Sequence, residues 1–409
     1  MSVAVIGGGA AGMMAAAAAL ESGAAVTLYE QNSKLGKKIR ITGKGRCNVT
    51  NNCPPEEILK NVLSNSKFLY SSVYKFTPEE VMAYFEGLGV PLKTERGRRV
   101  FPVSDRAHDI ADALENYITS MGCRIVCERV TDIITEDGKA VGIKTKNAEC
   151  SHSAVIIATG GVSYPATGSR GDGHRMAKDL GIKVTPLRPS LVPLILYDNT
   201  APLMGLSLKN VTLSVFLGDK TVSSEMGEML FTHFGISGPL VLSASAHMQK
   251  ASVDNYKLEI DLKPALDEET LDRRLIADLK KYSARDFINS LGDLLPQKLI
   301  EETVKRSGID PRKKSGEITK AERRALLDIL KHFTLSPKAF RSLDEAVVTA
   351  GGIDVSEIHP ATMMSKKISG LFFAGEIIDI DAYTGGYNLQ LAWSTGRKAG
   401  EAAANYSFE

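Results

Sequence analysis

Apolar positions gather first at the start of the chain. Residues 2–6 form an uninterrupted, largely apolar run, the pattern of a strand buried on both faces, and Met13–Leu20 reads as a helix. A second short strand spans 25–29, and others are expected at 124–127, 153–157 and 371–374, with helices at 174–180 and 387–400. Short buried strands alternating with helices predict an α/β layer. The middle of the chain differs. Segments 190–196, 207–217 and 256–262 are β-rich and separated by Gly or Asp turns, which predicts a small barrel-like domain. Between Asp267 and Lys331 charges are dense and Leu271, Leu275 and Leu279 recur at helical spacing, which predicts a helical subdomain. The pattern also sets one trap, because Val3–Leu20 runs 18 residues without a charge. No Lys or Arg precedes that run, and its four Gly and eight Ala do not suit a membrane span or a signal peptide.

Composition narrows the function. A length of 409 residues is a prior for two or three domains. Lys and Arg total 50 against 48 Asp and Glu, so a net charge of +2 gives no field to draw the chain onto nucleic acid or an acidic membrane. The five cysteines do not make a disulfide scaffold, and Cys123 and Cys127 lack the two-residue spacing of a redox pair. A reducing cytoplasm is expected, with no metal, since no His, Cys or carboxylate cluster has ligand spacing. The 36 glycines concentrate in a few clusters, which points to backbone approaching a ligand.

The first cluster is Gly7-Gly8-Gly9-Ala10-Ala11-Gly12, between the first strand and helix. In that context Gly7 permits the turn, Gly9 admits a pyrophosphate to the backbone, and Gly12 lets helix and strand pack. Glu30 ends the second strand 21 residues after Gly9, placed to accept from an adenosine ribose. A cationic loop with Lys38 then precedes Gly43-Lys44-Gly45-Arg46-Cys47-Asn48-Val49-Thr50-Asn51. Its glycines and cations suit phosphate, and Asn48, Thr50 and Asn51 suit the edge of a heteroaromatic ring. Cys47 lies inside this motif, where packing is its ordinary role. Ala158-Thr159-Gly160-Gly161 follows another strand and leaves space for a cofactor. Near the C-terminus Gly385-Gly386 opens a helix whose amides suit negative charge. No second G-x-G-x-x-G appears, so electrons come from transient NAD(P)H, a protein donor or the substrate itself.

These motifs, with Phe231-Thr232-His233-Phe234-Gly235-Ile236-Ser237-Gly238-Pro239 and Gly375-Glu376 followed by Asp381–Gln390, resemble the BaiN-like family of FAD-dependent oxidoreductases along the whole chain. The resemblance implies non-covalent FAD, held by a Rossmann-like domain built from both ends of the chain around an inserted middle. It assigns cofactor contacts to the Gly7–Gly12 turn with Ala10 and Ala11, to Glu30 and Gln31, to Lys38, to Gly43 and Gly45–Asn48, to Val130, to Ala158–Gly161, to Gly375 and Glu376, and to Gly386–Leu389 through Tyr387 and Asn388. Glu376 departs from the Gly-Asp usual in the wider superfamily, where the acid meets the ribityl chain.

The expected architecture is an α/β Rossmann-like FAD domain over 1–189 and 345–409, a β-rich substrate domain over 190–266 and 333–344, and a helical insert over 267–332. The expected chemistry is hydride transfer between flavin N5 and a small organic molecule, most readily reduction of an activated C=C in a steroid or 3-oxo bile-acid-like enone with NAD(P)H. An aminoacetone-like amine oxidase is the alternative, and a flavin-dependent RNA-modifying protein is third. The first candidate for proton transfer is His233, because an imidazole titrates near neutrality. Tyr164, Arg170 and Tyr383 follow as candidates to polarise a carbonyl or donate to an enolate. No nucleic-acid partner and no membrane span are expected, and the sequence leaves the oligomeric state open.

Overall fold

The computed structural model describes residues 1–407. The chain divides into two compact units, Met1–Ser190 with Leu343–Glu409, and Leu191–Ser342. The first is built on a parallel sheet of β1 (Ser2–Ile6), β2 (Ala25–Tyr29), β3 (Arg124–Val126), β4 (Ala154–Ile157) and β5 (Leu371–Phe373), in the order β5-β4-β1-β2-β3. Ile6 pairs with both Tyr29 and Ile157, and Ile157 with Phe373, so the carboxyl ends of four strands lie flush. The winding reverses between β1 and β4, which is where a doubly wound sheet opens a crevice for a ligand. The loops leaving those two strands carry Gly7–Gly12 and Ala158–Gly161.

Helix α1 (Ala10–Glu21) is buried on every face from Ala11 to Leu20. It is apolar all round because it is a central element, and the uncharged run of the sequence is this strand and helix. No helix among the described residues is long and apolar enough to cross a membrane. Helix α2 (Ala107–Ser120) packs a stripe of Ala107, Ile110, Ala111, Leu114 and Ile118 into the core, at the spacing of one helical face. Helix α3 is Asp172–Asp179 and α4 is Tyr387–Ala404. A Cβ on Gly396 or Gly400 would overlap the carbonyl oxygens of Ala11 and Ala15, so α4 lies backbone-close on α1 through these two glycines. The connection from β3 to β4 is an antiparallel meander, Val130–Glu136, Lys139–Thr145 and Glu149–Ser151.

The second unit carries a seven-stranded antiparallel sheet, ordered Phe333–Leu335, Tyr256–Asp261, Ser207–Leu217, Lys220–Phe231, Gly235–Ser237, Leu194–Leu196, Pro337–Phe340. Its two edge strands are consecutive in the chain with only Ser336 between them, so the backbone itself curls the sheet toward a barrel. Helices Glu268–Lys281, Gln297–Ser307 and Lys320–Lys331 cover it, and Leu271, Leu275 and Leu279 are buried as their spacing predicts. The expected strand over 190–196 is broken. Arg188–Ser190 pairs with Val348–Ala350 in the first unit, and Leu194–Leu196 joins the second, because Leu191 turns the chain with φ +55° and Pro193 cannot donate to a ladder.

Candidate functional site

The turn between β1 and α1 has the form its glycines require. Gly7 has φ +103°, and a Cβ there would lie 2.6 Å from the Ala158 carbonyl. A Cβ on Gly12 would overlap the Gly7 carbonyl, whereas beside Gly9 the space is open. Helix α1 begins with no side-chain cap and no acidic residue in its first turn. Its first amides and the positive end of its dipole are therefore left for an anion. At the end of β2, Glu30 Oε2 accepts from Gly8 N at 2.8 Å, and Oε1 accepts from Asn32 N at 2.8 Å and Asn32 Nδ2 at 2.6 Å. The carboxylate thus braces the glycine turn. Gln31 Nε2 donates to Gly168 O at 2.6 Å, and Val130 is buried at the start of the meander.

Charge at the centre is paired across the chain. Lys38 Nζ donates to Glu376 Oε2 and to Ser163 Oγ, each at 2.7 Å, while Glu376 Oε1 accepts from Thr349 N at 2.8 Å and Ser163 Oγ at 3.0 Å. Burial raises the carboxyl's pKa, but the Lys38 charge and these hydrogen bonds outweigh it and hold Glu376 below its usual range. Gly161 is part of this packing. A Cβ on it would meet Thr349 and lie 2.8 Å from Glu376 Oε1, so its missing side chain makes room for the chain's own groups rather than for a ligand.

Most side chains of the 43–51 loop that bear chemistry have partners within the chain itself. Arg46 is bound to Glu95 and Asp105, and its guanidinium lies 4.1 Å from the Phe101 ring centre, so its charge is neutralised within the protein. Thr50 Oγ1 donates to Gln390 Oε1 at 2.6 Å, and Asn51 Nδ2 donates to Gly97 O and Gly385 O. Cys47 is fully buried, and burial pushes its thiol up, which suits packing. Asn48 is different, because its Oδ1 is buried without a partner, as is Thr159 Oγ1 after β4.

At the other end of the site, Gly386 caps α4 with φ +100° and no side-chain cap. A Cβ there would overlap the Thr50 backbone, so only glycine permits this approach. Asn388 accepts from Ala382 N at 3.0 Å and donates to Ala382 O at 2.7 Å, so it closes its own loop instead of offering its amide outward. Burial raises the half-buried Tyr387 hydroxyl to about 12. Gly375 sits over the first turn of α1, where its Cβ would lie 2.6 Å from Ala11 Cβ. Leu389 follows on the same helix. The anion-ready start of α1, the space at Gly9, the two orphaned polar atoms and the uncapped start of α4 all suit an extended dinucleotide with a polar ring system. FAD fits these residues.

The four candidates for proton transfer lie on separate segments, three in the first unit and His233 in the second. Tyr164, with φ +52°, and Arg170 are exposed on the loop after β4, and Tyr383 is half-buried before α4. His233 is exposed on the turn between Lys220–Phe231 and Gly235–Ser237, its ring 5.1 Å from that of Phe234. Sequence reasoning missed Ser163 and Thr349, which no motif marks, and Asp381. The last was readable as one of two carboxylates, with Asp379, inside the otherwise apolar stretch Ile377–Ala382.

Fold and site together define a flavoprotein of the Rossmann type, with the cofactor cradle in the discontinuous unit. Residues 1–402 match the HI0933-like protein Rossmann domain, and the chain belongs to this family. It is 30% identical over 383 residues, 93% of each chain, to a 3-dehydro-bile acid delta(4,6)-reductase of Clostridium scindens. It is 31% identical over 381 residues, 91% of each chain, to a ribosomal RNA dihydrouridine synthase of Haemophilus influenzae. Among solved structures it resembles 3-ketosteroid delta1-dehydrogenase from Sterolibacterium denitrificans, with TM-score 0.55, 14% identity and coverage of 98% of this chain and 99% of that one, a likeness of fold. The chain is an FAD-dependent oxidoreductase.

Proposed function

We propose that this enzyme reduces a carbon–carbon double bond conjugated to a carbonyl, that a steroid-like enone of the 3-oxo bile acid type is its substrate, and that NAD(P)H supplies the electrons. The observation that carries this reading is the likeness to the C. scindens reductase over 93% of both chains. FAD, when bound, supplies the hydride chemistry that side chains lack. The chain's part is placement. The start of α1 would hold the pyrophosphate, Glu30 the adenosine ribose and Glu376 the ribityl chain. The amides opening α4 would stabilise negative charge delivered to them.

A second reading shares the same bond chemistry. The C5=C6 bond of uracil is conjugated to its C4 carbonyl, and the H. influenzae relative bears the name of a synthase acting on ribosomal RNA. Against it stands the charge pattern. The chain carries only +2, and in the helical segment Lys313, Lys314, Arg323 and Arg324 are paired with Glu322, Asp286, Asp272 and Glu268. An RNA-binding face presents unpaired cations. The test is anaerobic. FAD-loaded enzyme bleached by NADH or NADPH should recover its colour with a 3-oxo-4-ene steroid. Recovery with a uridine-containing ribosomal RNA fragment and not with the steroid moves the substrate to RNA. Bleaching by an amine, with recovery by oxygen, makes the protein an amine oxidase.

A further inference from the structure

A small antiparallel sheet, ordered Thr50–Asn51, Arg99–Pro102, Leu92–Glu95, lies against the start of α4. Its hairpin turn brings three arginines, Arg96, Arg98 and Arg99, into four residues of a chain whose net charge is only +2. Gly97 and Arg98 take left-handed backbone, with φ +76° and +58°, so the strand reverses tightly. The carbonyls of the turn are all taken. Arg96 O accepts from Arg99 Nε at 3.1 Å, Gly97 O from Asn51 Nδ2 at 3.1 Å, and Arg98 O from Asn52 N at 2.7 Å. The same Asn51 amide donates to Gly385 O at 3.0 Å, which fixes the turn beside the residue that precedes the α4 cap. The Arg98 charge bears on the Tyr387 hydroxyl in the first turn of that helix.

Neighbouring cations are neutralised, Arg46 by Glu95 and Asp105, and Lys93 by Asp105. Arg98 meets Glu57 at 3.3 Å in a pair open to water, which contributes little. Arg96 and Arg99 are exposed and have no carboxylate partner among the described residues. The Phe101 ring lies 5.8 Å from the Arg99 guanidinium, within cation–π range, and helps to orient it. Glu57, Glu95 and Asp105 flank the turn, so its unpaired charge is narrow, enough for one anionic group and short of the row of cations that tracks phosphates along RNA.

We propose that Arg96 and Arg99 bind the carboxylate of an acidic substrate, which makes the preferred substrate an enone with an anionic group remote from the reacting double bond. A bile acid has this form, with its carboxylate at the far end of the ring system from the 3-oxo group. The inference rests on the reading of the enzyme as a reductase of conjugated double bonds. Guanidinium suits the task, because its planar fork pairs with both oxygens of a carboxylate and stays charged at every pH at which the protein is folded.

Turnover of the FAD-loaded enzyme with NADH, compared on a 3-oxo-4-ene bile acid and on its methyl ester, tests the charge alone. In the unaltered protein KM should be lower for the acid, and added salt should shrink the difference. The double variant Arg96→Gln/Arg99→Gln should raise KM for the acid roughly 10–100-fold while kcat moves little, because a contact kept from ground state to transition state binds without accelerating. KM for the ester should move far less. Arg96→Lys/Arg99→Lys, with the charge and without the fork, should fall between. Equal KM for acid and ester in the unaltered protein, or an equal rise for both in the first double variant, overturns the proposal. So does a rise in KM for NADPH but not NADH with the acid unmoved, which makes the turn a 2′-phosphate site. Weaker binding of a ribosomal RNA fragment with the acid unmoved overturns it too, in favour of an RNA contact. Calorimetric titration of the oxidised enzyme with the acid needs no turnover and separates the two claims. Binding that the first double variant loses, with neither compound reoxidising the flavin, retains the anion site and ends the reductase reading. Reoxidation by both compounds with no such loss of binding keeps the reductase and ends the site.

Discussion

Lys38 and Glu376 are 338 positions apart and lie 2.7 Å from one another, with 28% and 20% of their side chains exposed to water. Removing the ammonium while leaving the carboxylate strands a poorly hydrated charge. Lys38→Met is expected to cost roughly 1–3 kcal/mol at pH 7, read as a lower denaturation midpoint. The pH dependence follows from the direction of the shift. Glu376 has a lowered folded pKa, so its contribution is present above the unfolded carboxylate range and is lost as pH falls through the folded value. The gap between Lys38→Met and the unaltered protein should therefore narrow in acid; a constant gap would mean the pair carries no linkage. Asp381 has the opposite sign. Its folded pKa is raised by burial, so the folded state loses stability as pH rises from the unfolded value through the folded one, and the stability of Asp381→Asn relative to the unaltered protein should improve as pH rises above the unfolded carboxylate range. The glycine turn could be read because its meaning lies in six adjacent residues. The Lys38–Glu376 pair and the hydrogen bond from the Ser190 hydroxyl to Asp381 could not, because each joins residues that only the fold brings together.

Among the elements, α1 and α4 show how packing depends on absent atoms. Gly396 and Gly400 leave no gap for a side chain over Ala11 and Ala15. Gly400→Val is expected to force the helices apart at a cost of about 1–3 kcal/mol or more. Because the start of α1 is the phosphate cradle, the same variant should bind FAD more weakly, seen as a right-shifted fluorescence titration. Equal FAD affinity in a destabilised Gly400→Val would show that the strain does not reach Gly7–Gly12. Elements with one strong period were legible, such as Ser207–Leu217 and the Leu271–Leu279 face. The short helices Pro55–Lys60, Tyr70–Lys75 and Pro78–Gly87 went unread, since runs of six to ten residues carry too few turns for a periodicity to stand out. The β3–β4 meander was missed because its strands alternate only weakly, most of the first one being exposed or half-exposed.

Each unit of the molecule has its own apolar core. The segment 191–342, produced alone, is expected to unfold cooperatively, with a sigmoidal denaturant curve by circular dichroism; a featureless slope would make its core dependent on the rest of the chain. In the full-length protein, FAD at 100 times its dissociation constant should add about 2.7 kcal/mol to the unit that holds it. At about 2–4 °C per kcal/mol for a unit of this size, one calorimetric transition should move up by roughly 5–10 °C while the other stays in place. Movement of both together would mean the units unfold as one.

The parallel sheet is assembled out of sequence order, and this matters while the chain is being made. β4 leaves the ribosome long before its outer neighbour β5, with the whole of the second unit in between. At about 5–20 residues per second, the wait lasts on the order of ten to forty seconds. Throughout it, the apolar strand Ala154–Ile157 has an unpaired edge, the kind of surface on which nascent chains aggregate. Glu376 and the start of α4 are also still unmade, so the inserted segment can fold first, and FAD gains its full set of contacts only near the end of synthesis. Yield in cells should accordingly depend on chaperones that shield that edge, more than the stability of the finished protein would suggest.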